Sequence, residues 1–312
     1  MQSIAEFSNN SNNPIFWGQF LEQLSSNTPS KKYPPKRVKQ EKKKIILMGD
    51  HQAPFINHDL HELSLAFINN IKADTLVYMG DGVDFDSISK HRAKPEFSST
   101  VQEGLNSLHQ VLTDLMSTTL QEGHFLVGNH DIRLQNILLD KLPSIFGIKK
   151  ANMSADEVSV LSLRNLLRLD ELNINYCSSD LGDYPHSTYE ITNDLFASHG
   201  WIARKGAGNS ARASIENLNR SLVVGHTHRL TVSYLTRWNG NVPIVYTAAE
   251  SGTMADPRGL GYSRFPDWQS GFLICTVHKD QSFNIEPVIY KDGVLHYRDQ
   301  KYWRTNRGIK WI

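Results

Sequence analysis

From Lys44 onward, short apolar runs alternate with longer stretches of helical spacing. Ile45-Ile46-Leu47-Met48, Thr75-Leu76-Val77-Tyr78-Met79 and His124-Phe125-Leu126-Val127 are too short for core helices. They read as buried strands ending in glycine-bearing loops. Between them, Leu60, Leu63, Phe67, Ile68 and Ile71, then Leu105, Leu108, Val111, Leu112 and Leu115, recur three or four residues apart. That spacing predicts helices over 60–71 and 101–116. Strand, loop, helix, strand is the alternation of an α/β layered domain, in which sites gather at the carboxyl ends of strands. Two further helical pieces, 134–142 and 158–169, are interrupted near Pro143 and Gly147. Beyond Leu172 the pattern turns β-like, with runs at 189–191, 195–198, 222–224, 230–235, 242–247, 271–277 and 285–290 and one helix over 210–218. No internal repeat interrupts this, so residues 45–312 read as one two-sheet α/β unit.

Residues 1–44 follow a different pattern. Residues 1–13 are rich in Ser and Asn and predict a loosely packed start. Phe16, Phe20 and Leu24, flanked by Trp17 and Leu21, form one apolar helical face over 14–24. So short a helix needs a surface to cover: its own domain, a second subunit in a homo-oligomer, or another partner. Residues 25–44 are a Ser/Pro/Lys linker ending in a basic run. It reads either as a solvated connector or as an arm contacting nucleic acid. Only Tyr33 is aromatic there, so base stacking by the arm is not indicated.

Charge sharpens this division. The net charge of +1 hides eight of the 33 Lys/Arg and three of the 32 Asp/Glu in residues 1–44, leaving the main unit mildly acidic. The chain of 312 residues, 39% hydrophobic, can bury a sizeable core. No apolar run approaches the roughly 18–20 residues needed to span a bilayer. The first residues lack a basic and then apolar signal pattern, and two cysteines, Cys177 and Cys275, make no disulfide framework. A reducing cytoplasm and no membrane partner are the expectations.

Chemistry concentrates at the strand ends. Asp50-His51-Gln52, Gly80-Asp81-Gly82-Val83-Asp84, Gly128-Asn129-His130-Asp131, His199 and Gly225-His226-Thr227-His228 each follow an apolar run. Carboxylate, amide oxygen and imidazole together suit Mn²⁺, Fe²⁺ or Zn²⁺ better than ions that prefer all-oxygen shells. A carboxylate such as Asp81 can bridge two ions. Two ions about 3.5–4 Å apart can clamp a phosphate and lower the pKa of a bridging water.

These five ordered motifs resemble those of the calcineurin-like metallophosphoesterase superfamily, and the match spans residues 50–228. The resemblance implies a four-layer α-β-β-α sandwich and a dinuclear phosphoester hydrolase, with metal-activated hydroxide attacking phosphorus. It implies two divalent ions, Mn²⁺ foremost, with Fe, Zn, Ni or Mg as alternatives. One ion would take Asp50, position 52, Asp81 and His228; the other would take Asp81, Asn129, His199 and His226. His130 would protonate the leaving oxygen, and Asp84 would orient His130. Segments 250–254 and 267–272 also resemble those of phage-encoded members.

One position departs from that pattern. The first motif is usually Asp-x-His, and here it is Asp50-His51-Gln52. On an extended backbone residue 52 shares the face of Asp50 and His51 points away. Three readings follow: Gln52 as a weak ligand through its amide oxygen, Gln52 as a neighbour that does not ligate, or a local shift placing His51 at the metal. A weakened first site predicts that activity needs millimolar-range added Mn²⁺. Arg133, Arg204, Lys205 and Arg229 are candidate phosphate contacts, with Arg92, Lys94 and Arg212 behind them, and the 206–210 turn offers backbone amides to an anion. The resembled family's protein-phosphatase branch carries Arg where this chain has Phe85. The expected activity is therefore a phosphodiesterase or nuclease acting on DNA, RNA or nucleotides. A phosphomonoesterase and an inactive binding module are the alternatives.

Overall fold

A computed structural model of the chain describes residues 42–89, 99–154, 157–179, 184–260 and 266–312. The expected 14–24 helix, the linker through residue 41, and Arg92 and Lys94 lie outside the described residues. In chain order the elements are β1 (Lys42–Met48), α1 (His58–Ile71), β2 (Thr75–Tyr78), α2 (Val101–Met116), β3 (Glu122–Phe125), α3 (Arg133–Lys141), α4 (Leu163–Leu166), β4 (Ile174–Tyr176), β5 (Thr188–Glu190) and β6 (Leu195–Ser198). They continue with α5 (Asn209–Leu218), β7 (Ser221–Val224), β8 (Leu230–Asn239), β9 (Val242–Ser251), β10 (Gly271–His278), β11 (Phe283–Lys291), β12 (Val294–Tyr297), β13 (Gln300–Thr305) and β14 (Gly308–Trp311).

Among the described residues there are two sheets. The larger runs β14-β13-β12-β11-β10-β1-β2-β3-β4 and the smaller β5-β6-β7-β9-β8. β1 through β4 are parallel, whereas β10 through β14 form an antiparallel meander joined to β1. Successive side chains of a strand face opposite ways. Ile46, Met48, Leu76 and Tyr78 therefore pack with Leu60, Phe67, Leu108 and Leu112 of α1 and α2. Ile45, Leu47, Val77 and Met79 instead meet Leu195, Ala197, Val223 and Ala249 of the second sheet. Both faces are buried, which is why these runs are continuously apolar rather than alternating. α5 packs on β7 and β9 and buries Ala211 and Ile215. The result is the four-layer α-β-β-α arrangement.

The helix ends follow from local chemistry. Asn57 caps α1 by accepting from Leu60 N at 3.1 Å. Thr100 and Glu103 form a reciprocal capping box on α2.

Three expectations shift. Residue 45 is not where the sheet begins: β1 already includes Lys42–Lys44, with Lys43 Nζ 2.8 Å from Glu122 Oε1 and Lys44 Nζ donating to Ile71 O at 2.6 Å. Long lysine stems lie along a sheet while their ammonium groups reach a partner. Only Leu163–Leu166 is α-helical in the expected 158–169 piece. β12, β13 and β14 were not expected, although Asp292-Gly293 is a hairpin signal.

Candidate metal centre

The loops after β1, β2, β3, β6 and β7 meet at one end of the sandwich. Backbone bonds lace them together: Asp50 N to Gly80 O (2.8 Å), Gln52 N to Asp81 O (3.1 Å) and Gly225 N to His199 O (2.9 Å). Asp50, Gln52, Asp81, His226 and His228 all have φ between 48° and 67°. The extended backbone considered for Asp50-His51-Gln52 is thus replaced by left-handed residues on either side of His51, and His226 and His228 flank Thr227 in the same way. Such conformations are uncommon for non-glycine residues and cluster where the surroundings impose them. Gln52 still faces the site. His51 does not: it is fully buried, accepts or donates at 2.7 Å to the Tyr78 hydroxyl through Nδ1, and stacks on that ring. The reading that placed His51 at the metal is overturned.

Two glycines leave room for the carboxylates. A Cβ on Gly128 would fall 2.1 Å from Asp81 Oδ1, and one on Gly225 would fall 2.7 Å from Asp50 Oδ2. Any side chain at either position would displace a candidate ligand.

One group of donors converges around Asp81. Asp81, His199 and His226 place candidate ligand atoms within 4.8 Å of one another. Asn129 Oδ1 lies 2.8 Å from His226 Nδ1 and 3.2 Å from His199 Nε2, and joins them. His199 Nδ1 donates to Met79 O at 2.8 Å, which turns Nε2 toward Asp81 Oδ2, 3.4 Å away. Burial lowers the pKa of His199, but Asp81, Asp50 and the Met79 carbonyl outweigh it and raise the group to about 9. Burial and the His199 charge push His226 down to about 4, so this ring is neutral near pH 7. Burial pushes Asp81 upward, yet His199 and His130 hold its carboxyl well below the usual range.

The other group is thinner. His228 Nε2 lies 3.1 Å from Asp50 Oδ1, and Gln52 Nε2 lies 3.2 Å from Asp81 Oδ2 and 3.5 Å from His228 Nε2. As oriented, the Gln52 amide turns its nitrogen, not its oxygen, toward Asp81. Asp50 Oδ1, Gln52 Oε1 and His228 Nδ1 are buried without a hydrogen-bond partner. The close approach of His228 to Asp50 is one of distance and charge, without hydrogen-bond angles. Unpartnered buried polar atoms are costly, and a cation among these groups would give the Asp50 carboxylate oxygen a partner.

His130 stands on the wall of the same pocket, a space of about 160 Å³ lined by Asp81, Asn129, His130, His226, His228 and Trp268. Its Nδ1 lies 3.0 Å from both Asp84 O and Asp84 Oδ1; the angles favour the carbonyl. Burial lowers the His130 pKa, but Asp81 and Asp84 outweigh it and the net shift is upward. Arg133 donates to Asp84 O at 2.7 Å and brings Nη2 within 3.3 Å of His130 Nε2.

The other cations stand further out. Arg229 pairs with Asp267 (3.1 Å) and donates to Arg204 O (2.8 Å), while Arg204 and Lys205 are exposed. The amides at the 206–210 turn already have an acceptor: Glu250, fully buried, accepts from Gly208 N (2.9 Å) and Ala211 N (3.4 Å). Sequence reasoning also assigned no role to Asp131. This buried carboxylate accepts from Asp81 N, Gly82 N and Gly128 N at 2.8–3.0 Å and locks the second loop to the third. Burial and the Asp81 charge raise it to about 6. Its signal was its place directly after His130, where a carboxylate can reach back to the loop's own amides.

No family model matches the chain. It is 24% identical over 252 residues to the gene 54 protein of Mycobacterium phage L5, covering 75% of this chain and 89% of that protein. Among solved structures, vacuolar protein sorting 29 from Cryptosporidium parvum aligns over 88% of this chain and 99% of its own, at 12% identity and a TM-score of 0.41. A structure of PhoD aligns over 90% of this chain and 73% of its own, at 8% identity and a TM-score of 0.46. No helix among the described residues is long and apolar enough to cross a membrane.

Proposed function

We propose that the chain is a metal-dependent phosphoester hydrolase of the metallophosphoesterase type, acting on phosphodiesters of nucleic acid or nucleotides. The observation that carries this reading is the convergence of Asp81 Oδ2, Asn129 Oδ1, His199 Nε2 and His226 Nδ1, with Asp81, Asn129 and His226 lining one pocket beside His130. The donor set suits a borderline transition ion such as Mn²⁺, Fe²⁺ or Zn²⁺. Asp81, Asn129, His199 and His226 would hold one ion; Asp50, Asp81 and His228 would hold a second, with Gln52 beside it. When bound, such ions supply Lewis acidity toward phosphate oxygens and make water acidic enough to give up a proton near neutral pH.

The remaining roles belong to the chain's own groups. His130, with Nδ1 turned to Asp84 O, is the group placed to deliver a proton to the departing alkoxide. Arg133, fixed by Asp84 O, sets the depth of that ring and offers charge to the phosphate. Phe85 is buried in the core and is not among the residues lining the pocket. That position therefore offers no cation to the dianion of a monoester, which favours the diester.

The test is turnover of a bis-aryl phosphate against a mono-aryl phosphate, and of single- and double-stranded DNA, with added Mn²⁺. Diester cleavage that chelation abolishes is expected; exclusive monoester turnover would overturn the diester assignment. His130→Ala should lower kcat by roughly 10² to 10⁴ while metal content stays unchanged. A second reading, a binding module without turnover, draws on the Gln52 amide facing Asp81 through nitrogen. It predicts phosphate binding with no cleavage of any ester in the panel.

A further inference from the structure

The pocket wall is polar except at one place. Asp81, Asn129, His130, His226 and His228 contribute a carboxylate, an amide and three imidazoles; Trp268 contributes an indole. Its ring lies 4.5 Å from the His228 ring at 62°, and it remains partly exposed. The indole is the one broad apolar plane on this wall, and its single polar atom is the Nε1–H donor.

The segment carrying it is fastened on both sides. Gln269 N donates to His228 O at 2.9 Å, and Gln269 Oε1 accepts from Leu230 N at 3.3 Å. Thr253 N donates to Gln269 O at 3.1 Å, and Asp267 pairs with Arg229 at 3.1 Å. Thr253 is itself tied to the first loop through Oγ1 to Asp50 O at 2.8 Å. The backbone that carries the indole is therefore tied to Asp50 and His228, and the ring itself lies against His228. Arg229, offered by sequence as a phosphate contact, instead pins this segment.

We propose that Trp268 is a binding residue that stacks on a heteroaromatic group attached to the phosphate, and that the substrate class is accordingly the nucleotide or its diesters. This rests on the phosphoester reading above for the position of the phosphate. A base has a π-face whatever its identity, so the platform selects nucleobases as a class without distinguishing among them. Aromatic stacking of one base on one side chain contributes on the order of 10- to 100-fold in affinity.

The experiment compares AMP with ribose 5-phosphate, which share a phosphate and a ribose and differ in the base. Binding of each to Mn²⁺-loaded wild type, Trp268→Phe and Trp268→Ala is measured by calorimetry, and metal content by elemental analysis. Wild type should bind AMP at least about tenfold more tightly than ribose 5-phosphate. Trp268→Ala should bring AMP down to the level of ribose 5-phosphate without changing metal content, and Trp268→Phe should retain much of the preference. Equal affinity in wild type overturns the proposal. So does an equal loss for both ligands in Trp268→Ala with lower metal content, which would make Trp268 a brace for His228. The ester panel judges the hydrolase reading separately: base-dependent binding without turnover leaves the stacking site standing and removes the hydrolase.

Discussion

The two halves of the candidate metal centre share Asp81 but are built to different standards. Around Asn129, His199 and His226 every donor atom converges, and each ring has a defined partner. Around Asp50, Gln52 and His228 the donors are one carboxylate, one imidazole and an amide turned nitrogen-first, with three buried polar atoms left unpartnered. The backbone does not explain the difference, because strained left-handed residues occur in both halves, at Asp50 and Gln52 in one and at His226 in the other. The side chain at position 52 does. A neutral amide is a poorer transition-metal ligand than imidazole. Gln52, in the loop after β1, is therefore the residue that makes the Asp50 half the expected weak half and the Asn129 half the expected tight half.

Removing the shared residue should have the largest effect, because it breaks the comparison itself. Asp81→Asn keeps size but takes the one carboxylate that faces both halves, so elemental analysis should find both ions lost. Activity should fall at least about 10³-fold, the scale of several kcal/mol of lost charge stabilisation. If one ion remained at full occupancy, Asp81 would belong to one half alone.

Repairing the weak half is the next largest. Gln52→His restores an imidazole at a position where φ is 48°, a conformation that His tolerates better than most residues. The first-half ion should bind roughly 10- to 100-fold more tightly, and the Mn²⁺ needed for half-maximal activity should fall with it. An unchanged Mn²⁺ titration would mean that residue 52 lies outside the coordination sphere.

How much of this was legible in sequence depends on range. The loops carrying Asp50, Asp81, Asn129, His199 and His226 announced themselves because each follows a short apolar run, and run length survives any tertiary arrangement. The layer order also followed, since continuous apolar strands require cover on both faces. Orientation was not legible. Whether Gln52 turns oxygen or nitrogen inward, and whether Arg229 meets phosphate or Asp267, depends on neighbours 29 and 38 positions away. Glu250 was silent for the same reason: a glutamate late in a strand gives no sign that it will fill the amide nest ahead of α5. β12–β14 were missed although turn residues separate them, because their apolar positions are few and their outer faces exposed.

The smallest effect separates the halves by proton release. His199 is raised to about 9 in the metal-free protein by Asp81, which outweighs its burial, so it is protonated at pH 7. His226, lowered to about 4, is not. An ion entering the tight half must displace the His199 proton, and its affinity should rise about tenfold per pH unit between pH 6 and 8, flattening near pH 9. Calorimetry in two buffers of different ionisation enthalpy should return about one proton released per ion. The same shift affects stability with a definite sign. A histidine whose folded pKa lies above its unfolded value stabilises fully below about 6.5, and that contribution is lost as pH rises to about 9. Metal-free protein should therefore lose thermal stability across that window, while the loaded protein, whose His199 has already given up its proton, should not. Binding without proton release at pH 7 would place the ion away from His199 and collapse the distinction between the two halves.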